Sequence, residues 1–193
     1  MRLYIGLLHY PVYNKNYQRI ASAITNTDLH DLARLARTYD IERFFVVTPL
    51  RDQQELVERI RAHWTNGYGA TYNRHRKEAL ALLSISPSLE ETIREISETE
   101  GEKPLIIATD ARKPKTVALT YRKAIEIIDN GKVVMIVFGT AWGLDNEIVD
   151  LADYILDPIE GTTNYNHLSV RTAAAIILDR LVGRYPRKSQ EEK

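Results

Sequence analysis

The 193-residue chain contains no cysteine. That excludes disulfides, thiolate metal sites and a cysteine nucleophile, and it fits a reducing compartment. No charge sign is in excess, since Lys plus Arg and Asp plus Glu both number 26. A surface that neutralises many phosphates must therefore be a local patch rather than a property of the whole chain. No apolar run is long enough to span a bilayer, and the opening MRLYIGLLHYP is too short for a signal peptide, so the cytoplasm is the default location. No Pro/Gly/Ser-rich linker, repeat or low-complexity tract divides the sequence. One domain over residues 1–193 is the simplest organisation, with RYPRKSQEEK at 184–193 as a charged, frayed tail. The stretch HYPVYNKN after the first strand pattern carries no glycine fingerprint, which argues against an ordinary Rossmann-like nucleotide-binding enzyme.

What the chain does contain is an alternation of strand and helix patterns. Apolar runs predict strands at 3–8, 43–48, 82–85, 105–109, 133–138 and 154–156. Helical periodicity predicts helices at 28–39, 51–64, 88–98, 117–128 and 165–182. Thr27 or Asp28 is the expected cap of the first helix, with Leu29, Leu32, Ala33 and Ala36 on its inner face; Leu56, Val57 and Ile60 point inward from the second. Residues 12–26 read mostly as loop, and TNGYGATYNRHR at 65–76 breaks the pattern. The alternation predicts an α/β protein with a mostly parallel sheet and helices on both faces.

The stretch KVVMIVFGTAWGLDNEIVDLADYILDPIEGTTNYNHLSVRTAAAIILDRLV (132–182) organises the rest. A β-branched run suited to a strand buried on both faces ends in the loop Gly139-Thr140-Ala141-Trp142-Gly143-Leu144. A second short run ends in Asp157-Pro158-Ile159-Glu160-Gly161, where proline stiffens the chain. Asn164 or Asn166 is the expected cap of the last helix, which is apolar at Leu168, Ala175, Ile176, Leu178 and Val182. Open α/β sheets bind ligands outside the carboxyl ends of their strands. Two strand-to-loop junctions with glycines so close together predict a small-molecule pocket built largely from backbone.

These motifs resemble those of the SPOUT (SpoU–TrmD) methyltransferases. That superfamily carries Gly-x-Glu-x-x-Gly-Leu after a buried strand, then Ile-Pro-Met-x-Gly, then Ser-Leu-Asn-Val-Ser-Val-Ala opening the last helix. Gly139 and Gly143-Leu144 look like the first motif, one residue shorter and with Ala141 in place of the glutamate. Residues 157–161 look like the second, and the spacing from Gly161 to Ser169-Val170 fits the third. The stretch is most similar to a group of SPOUT RNA methyltransferases of unassigned target. The resemblance implies a C-terminal trefoil knot, a homodimer with the last helix around 173–177 at the interface, and an RNA partner, tRNA or rRNA. It also implies S-adenosylmethionine (SAM) as cofactor, without a metal, because the sulfonium is already a charged leaving group. The implied cofactor residues are Phe138, Gly139, Thr140, Gly143, Leu156, Ile159, Gly161, Asn166, His167 and Leu168, with Thr109 closing the pocket. A bulky residue at Gly161 is expected to abolish cofactor binding.

SpoU-type enzymes also carry Asn-x-Gly-x-x-x-Arg-x-Ala on the first helix. Asp28, Arg34 and Ala36 fall at the matching offsets, with His30 in place of the glycine. Arg34 suits a phosphate, and Asp28 suits a proton from a base nitrogen; equally, Asp28 suits a helix cap and Arg34 a solvated helix charge. His167, beside Tyr165 and Asn166, is a candidate general base, with capping and packing as its simpler role. In the aromatic-basic stretch 64–77, Arg74 and Arg76 are candidate RNA contacts alongside Arg34 and Arg37. Trp64 and Tyr72 read rather as core covering, while Tyr10, Tyr13 and Tyr17 add aromatics near the first strand. The functional expectation is a SAM-dependent RNA methyltransferase acting on a base nitrogen or a ribose 2′-OH. The alternative is a catalytically inactive RNA-binding protein that keeps the fold, motivated by Ala141, Asn166 and His167.

Overall fold

A computed structural model describes residues 1–112, 118–163 and 165–184. Asn164, the start of the helix expected from 117, part of the polar loop at 110–114 and all but the first residue of the expected tail lie outside the described residues.

In chain order the elements are β1 (Leu3–Leu8), β2 (Val12–Tyr13), β3 (Arg19–Ile20), α1 (Asn26–Thr38), β4 (Arg43–Val47), α2 (Arg51–Thr65), α3 (Tyr68–Tyr72), α4 (Arg74–Leu80), β5 (Leu83–Ser86) and α5 (Leu89–Glu100). They are followed by β6 (Leu105–Ala108), α6 (Tyr121–Asp129), β7 (Val134–Gly139), α7 (Asn146–Leu151), β8 (Tyr154–Ile155) and α8 (Val170–Val182). Six strands form one sheet in the order β5-β4-β1-β7-β6-β8, and every pair in it is parallel. β1 and β7 lie at the centre, with Leu3 opposite Val134 and Leu8 opposite Gly139.

Alternate residues of each strand feed two apolar layers, which is why the strands read as unbroken hydrophobic runs. On one face Leu3, Ile5, Leu7, Phe44, Val46, Ile136 and Phe138 meet Leu29, Leu32, Ala33 and Ala36 of α1, Val57 of α2, Ala124 of α6 and Ala174, Ile177, Leu178 and Leu181 of α8. On the other, Tyr4, Leu8, Phe45, Val47, Met135 and Val137 meet Leu89 and Ile96 of α5 and Ile148 of α7. The expected α/β architecture with helices on both faces is therefore the observed one. Among the described residues no helix is long and apolar enough to cross a membrane.

Several local expectations are corrected. The 12–26 stretch is not all loop: β2 and β3 pair antiparallel, Val12 with Ile20. The break at 65–76 holds α3 and the start of α4. α1 is capped by Thr25, whose side chain accepts from Asp28 N, and not by Thr27 or Asp28. α8 starts at Val170 on a Ser169 cap, not at residue 165 on Asn166. Its inner face is accordingly 174, 177, 178 and 181, while Leu168 stays exposed. Leu56 is also exposed, leaving Val57 as the buried residue of α2.

Candidate functional site

The carboxyl ends of β6, β7 and β8 open into a cleft of about 760 Å³, a volume suited to a nucleoside-sized ligand. Phe138, Gly139 and Thr140 form its floor beyond β7, Thr109 and Asp110 lie beyond β6, and Leu156, Pro158 and Ile159 lie beyond β8. Ser22, Ala23, Thr25 and Asp28 close one side, and residues 166–170 with Ala173 and Ile177 of α8 close the other.

The loop after β7 is built by close approach. A Cβ on Gly139 would sit 2.7 Å from Leu144 N and 3.0 Å from Gly143 C, so the chain can fold back only on a glycine. Gly143 has φ +103° and Ala141 φ +52°. The loop is then stitched to the β2–β3 hairpin. Trp142 N donates to Tyr13 O at 2.9 Å and Tyr13 N donates to Gly143 O at 3.0 Å. Arg19 grips Asp145 through two bonds of 2.9 Å and reaches Glu147 at 2.8 Å. Burial alone would raise the Asp145 pKa, but the Arg19 guanidinium outweighs it and holds the carboxyl below its ordinary value.

Beneath this loop lies a relay of hydroxyls. Thr140 Oγ1 donates to Leu8 O at 2.9 Å, Ser22 Oγ lies 2.5 Å from Thr140 Oγ1, and His9 Nδ1 lies 3.0 Å from Ser22 Oγ. All three contacts are hydrogen bonds when Ser22 donates to Thr140 and His9 Nδ1–H donates to Ser22. His9 Nε2 is then a bare lone pair, buried and without a hydrogen-bond partner among the described residues. Burial pushes the His9 pKa down to about 4, against the upward pull of the Asp28 charge.

Asp28 is the third residue of α1. Thr25 Oγ1 donates to its Oδ2 at 2.6 Å, and its own N–H donates back to Thr25 at 3.1 Å, a reciprocal helix start. Its other oxygen lies 3.0 Å from Nε of Arg171 on α8. That is an ion-pair distance, but the N–H is not aimed for a hydrogen bond. Arg171 also donates to Asp31 at 3.2 Å, and Asp31 pairs with Arg34. Burial would raise the Asp31 pKa, yet the two arginines hold it below its ordinary value. Asp28 thus faces the cleft while belonging to a charge chain that ties α1 to α8.

Ten of the eleven residues expected at the cofactor line this cleft: Thr109, Phe138, Gly139, Thr140, Gly143, Leu156, Ile159, Asn166, His167 and Leu168. The eleventh, Gly161, does not; among the described residues a Cβ there would meet nothing within 4 Å. Asn166 caps no helix and instead donates to Ala111 O at 2.9 Å. The structure does not bring the arginines to the cleft. Arg34 pairs with Asp31, Arg37 lies 3.7 Å and Arg74 3.2 Å from Glu78, and the Arg76 guanidinium stacks 4.6 Å over the Trp64 ring. Trp64 is packed as expected, but Tyr72 is 73% exposed and stacks on Tyr68 rather than covering core. Tyr17, named among the aromatics near the first strand, also lines the cleft, and residues that the sequence did not single out include Ser22, Thr25, Asp110 and Trp142. Only Trp142 carried a signal, as the aromatic between two loop glycines.

Comparison with known proteins agrees with this geometry. The model of a family described as SAM-dependent RNA methyltransferase matches residues 2–183. A tRNA (guanine-N(1)-)-methyltransferase of Oleidesulfovibrio alaskensis is 40% identical over 181 residues, which are 94% of this chain but 42% of that protein. The chain thus spans less than half the length of that relative. An uncharacterized protein of Aquifex aeolicus is 40% identical over 183 residues, covering 94% of this chain and 89% of that one. The crystal structure of the SpoU methyltransferase AviRb from Streptomyces viridochromogenes superposes with a TM-score of 0.59 at 16% identity, covering 93% of this chain and 58% of that one. The family match along residues 2–183 places this chain in the SAM-dependent RNA methyltransferase family, and its six-stranded parallel sheet has the fold of the SpoU methyltransferase structure.

Proposed function

We propose that the chain moves the methyl group of SAM to a ring nitrogen of guanine in tRNA, with Asp28 as the proton acceptor. The observation that carries this reading is the meeting of a carboxylate and the glycine-built loop in one cleft. Phe138, Leu156, Ile159 and Leu168 give the cleft apolar walls for an adenosine, and backbone at 139–143 gives polar edges. SAM supplies a methyl group on a positively charged sulfur, and the chain's residues do the rest. Asp28 stands where it can take the N1 proton as the nitrogen's electron pair forms the new N–CH₃ bond and the sulfur leaves neutral. The Arg171 ion pair and the Thr25 hydroxyl orient that carboxylate. The N1-guanine assignment draws on the name of the tRNA methyltransferase relative, 42% of which this chain matches.

The 1–183 region acts as one catalytic domain in the cytoplasm, where its RNA substrate is. It works as a homodimer through α8 around 173–177; Ala175 and Ile176 stand partly exposed on the face turned from the core. The C-terminal third is threaded as a knot. Supporting this, Asp157 N donates to Leu119 O and Asn166 to Ala111 O, so the segment after β8 touches both ends of the β6–α6 connection.

The test is tritium transfer from labelled SAM to total RNA of a strain lacking the protein, followed by nucleoside analysis. The expected product is 1-methylguanosine, and Asp28→Asn lowers kcat by roughly 100-fold or more with cofactor affinity kept. A 2′-O-methylated product, or an Asp28→Asn enzyme as fast as the parent, overturns the assignment. No observation favours the non-catalytic reading.

A further inference from the structure

Two large aromatic side chains stand at the mouth of the cleft, and the fold makes little use of either. Tyr17 is 64% exposed and Trp142 57% exposed, yet both line the cleft. They belong to segments 125 positions apart in sequence, from 17 to 142, that are locked together by the Trp142–Tyr13 and Tyr13–Gly143 backbone bonds and by the Arg19–Asp145 grip. An unfavourable backbone lies at the first and next to the second. Tyr17 itself has φ +57°, and Trp142 follows Ala141 at φ +52°. Non-glycine residues hold that conformation only when their surroundings over-determine it, and such positions cluster at ligand clamps. The Tyr17 ring is braced by Tyr13, with centroids 6.0 Å apart.

We infer that Tyr17 and Trp142 form the stacking clamp for the target nucleobase. The inference rests on the RNA methyltransferase reading of the cleft and adds the residues that hold the substrate's reacting base. An enzyme that works on a base must take it out of its stack, and an aromatic wall replaces the lost stacking. The occupant is therefore an unpaired base of the RNA, held by its π-face. The hairpin's role is to carry Tyr17 to the loop that carries Trp142.

The chain has two tryptophans, so a Trp64→Phe variant leaves Trp142 as the single emitter. Titrating that variant with total tRNA, with S-adenosylhomocysteine present, quenches Trp142 emission if the clamp exists. Emission unmoved by tRNA in a protein that binds SAM by calorimetry overturns the clamp and leaves the proposed function standing. Quenching in a protein that binds no SAM overturns the proposed function and leaves the clamp. Tyr17→Ala and Trp142→Ala lower kcat/KM for tRNA by roughly 5- to 150-fold, the worth of stacking one base. SAM affinity stays within about threefold, and Tyr17→Phe and Trp142→Phe recover most of the loss. Unchanged kcat/KM in both alanine variants contradicts the inference. So does a dimer that dissociates in Trp142→Ala by light scattering, because the ring then belongs to the contact with a second copy.

Discussion

Each of the two loops that wall the cleft has a motif glycine just past its strand, and these two glycines, Gly139 and Gly161, serve opposite ends. Gly139, after β7, sits where a Cβ would collide with backbone at 2.7 Å. The chain there turns back on itself, and bonds to Leu8, Tyr13 and Pro11 fix it from residues more than 120 positions away. Gly161, after β8, faces open space, and its loop is tethered through bonds such as Asn166 to Ala111 and Tyr165 N to Thr163 Oγ1 at 3.3 Å. One loop is pre-formed by long-range contacts before any ligand arrives. The other has room to settle around one. A glycine in a motif therefore tells where the chain turns, and only the surrounding atoms tell whether a side chain is forbidden there.

The sharpest way to break this contrast is Gly139→Ala. Two of the three blocking atoms are main-chain, Leu144 N and Gly143 C, and these cannot swing aside as the end of a flexible side chain would. Overpacking of this kind costs about 3 kcal/mol, and the loop that gives way is the cleft floor. Denaturant unfolding should show that loss, and calorimetry should show SAM binding weakened at least about tenfold, near 1.4 kcal/mol. An alanine variant with parental stability would mean the loop is as free as its counterpart after β8.

How much of this was legible depends on the range of the interaction. The strand cores of β1, β4 and β7 are continuous apolar runs, and continuity over five or six residues is a local signal. Ten cleft residues were readable from the motif resemblance: seven lie at or just beyond the ends of β6, β7 and β8, and Asn166, His167 and Leu168 lie just before α8. The start of α8 was misplaced because Asn166 and Ser169 are both competent caps, and only the bond of Asn166 to Ala111, 55 residues away, decides between them. The β2–β3 hairpin pairs two residues on each side, too few to show a period. Its partner Asp145 is 126 positions from Arg19, a pairing no spacing reveals. Of the arginines read as RNA contacts, Arg34 and Arg74 pair with acids three or four residues away on their own helices, whereas the Arg37–Glu78 and Arg76–Trp64 contacts depend on which helices become neighbours.

His9 probes the underside of the pinned loop, and its effect is intermediate. Its folded pKa of about 4 lies below the ordinary 6.5 because burial disfavours the charged ring. Above pH 6.5 the ring is neutral folded or unfolded, so it imposes no pH dependence. As pH falls below 6.5 the unfolded chain takes up the proton first, and stability drops until the folded ring titrates near pH 4. At pH 5 the loss is about 2 kcal/mol. The difference between parent and His9→Gln in unfolding free energy, measured at pH 7.5 and again at pH 5, should change by that amount. Other acids cancel in the difference. A difference that stays constant would mean that His9 is not held neutral, and that the relay through Ser22 to Thr140 does not seal the loop from water.

The smallest expected effect belongs to Gly161→Ala, and it is the test most able to sharpen the contrast. Its φ is not in the left-handed range, nothing lies within 4 Å of the added methyl, and the residue does not line the cleft. Removing a glycine also narrows the unfolded ensemble, which favours the folded state by about 0.4–1 kcal/mol where the backbone is compatible. Unfolding should therefore show stability equal to or slightly above the parent, and calorimetry a SAM affinity within about threefold. The motif position would then mark a bend that the ligand passes without touching. A tenfold loss of affinity with stability intact would mean instead that the loop after β8 closes onto the cofactor and brings position 161 into contact. The loop's present openness would then be the state before closure, and the two walls of the cleft would differ in timing rather than in need for a glycine.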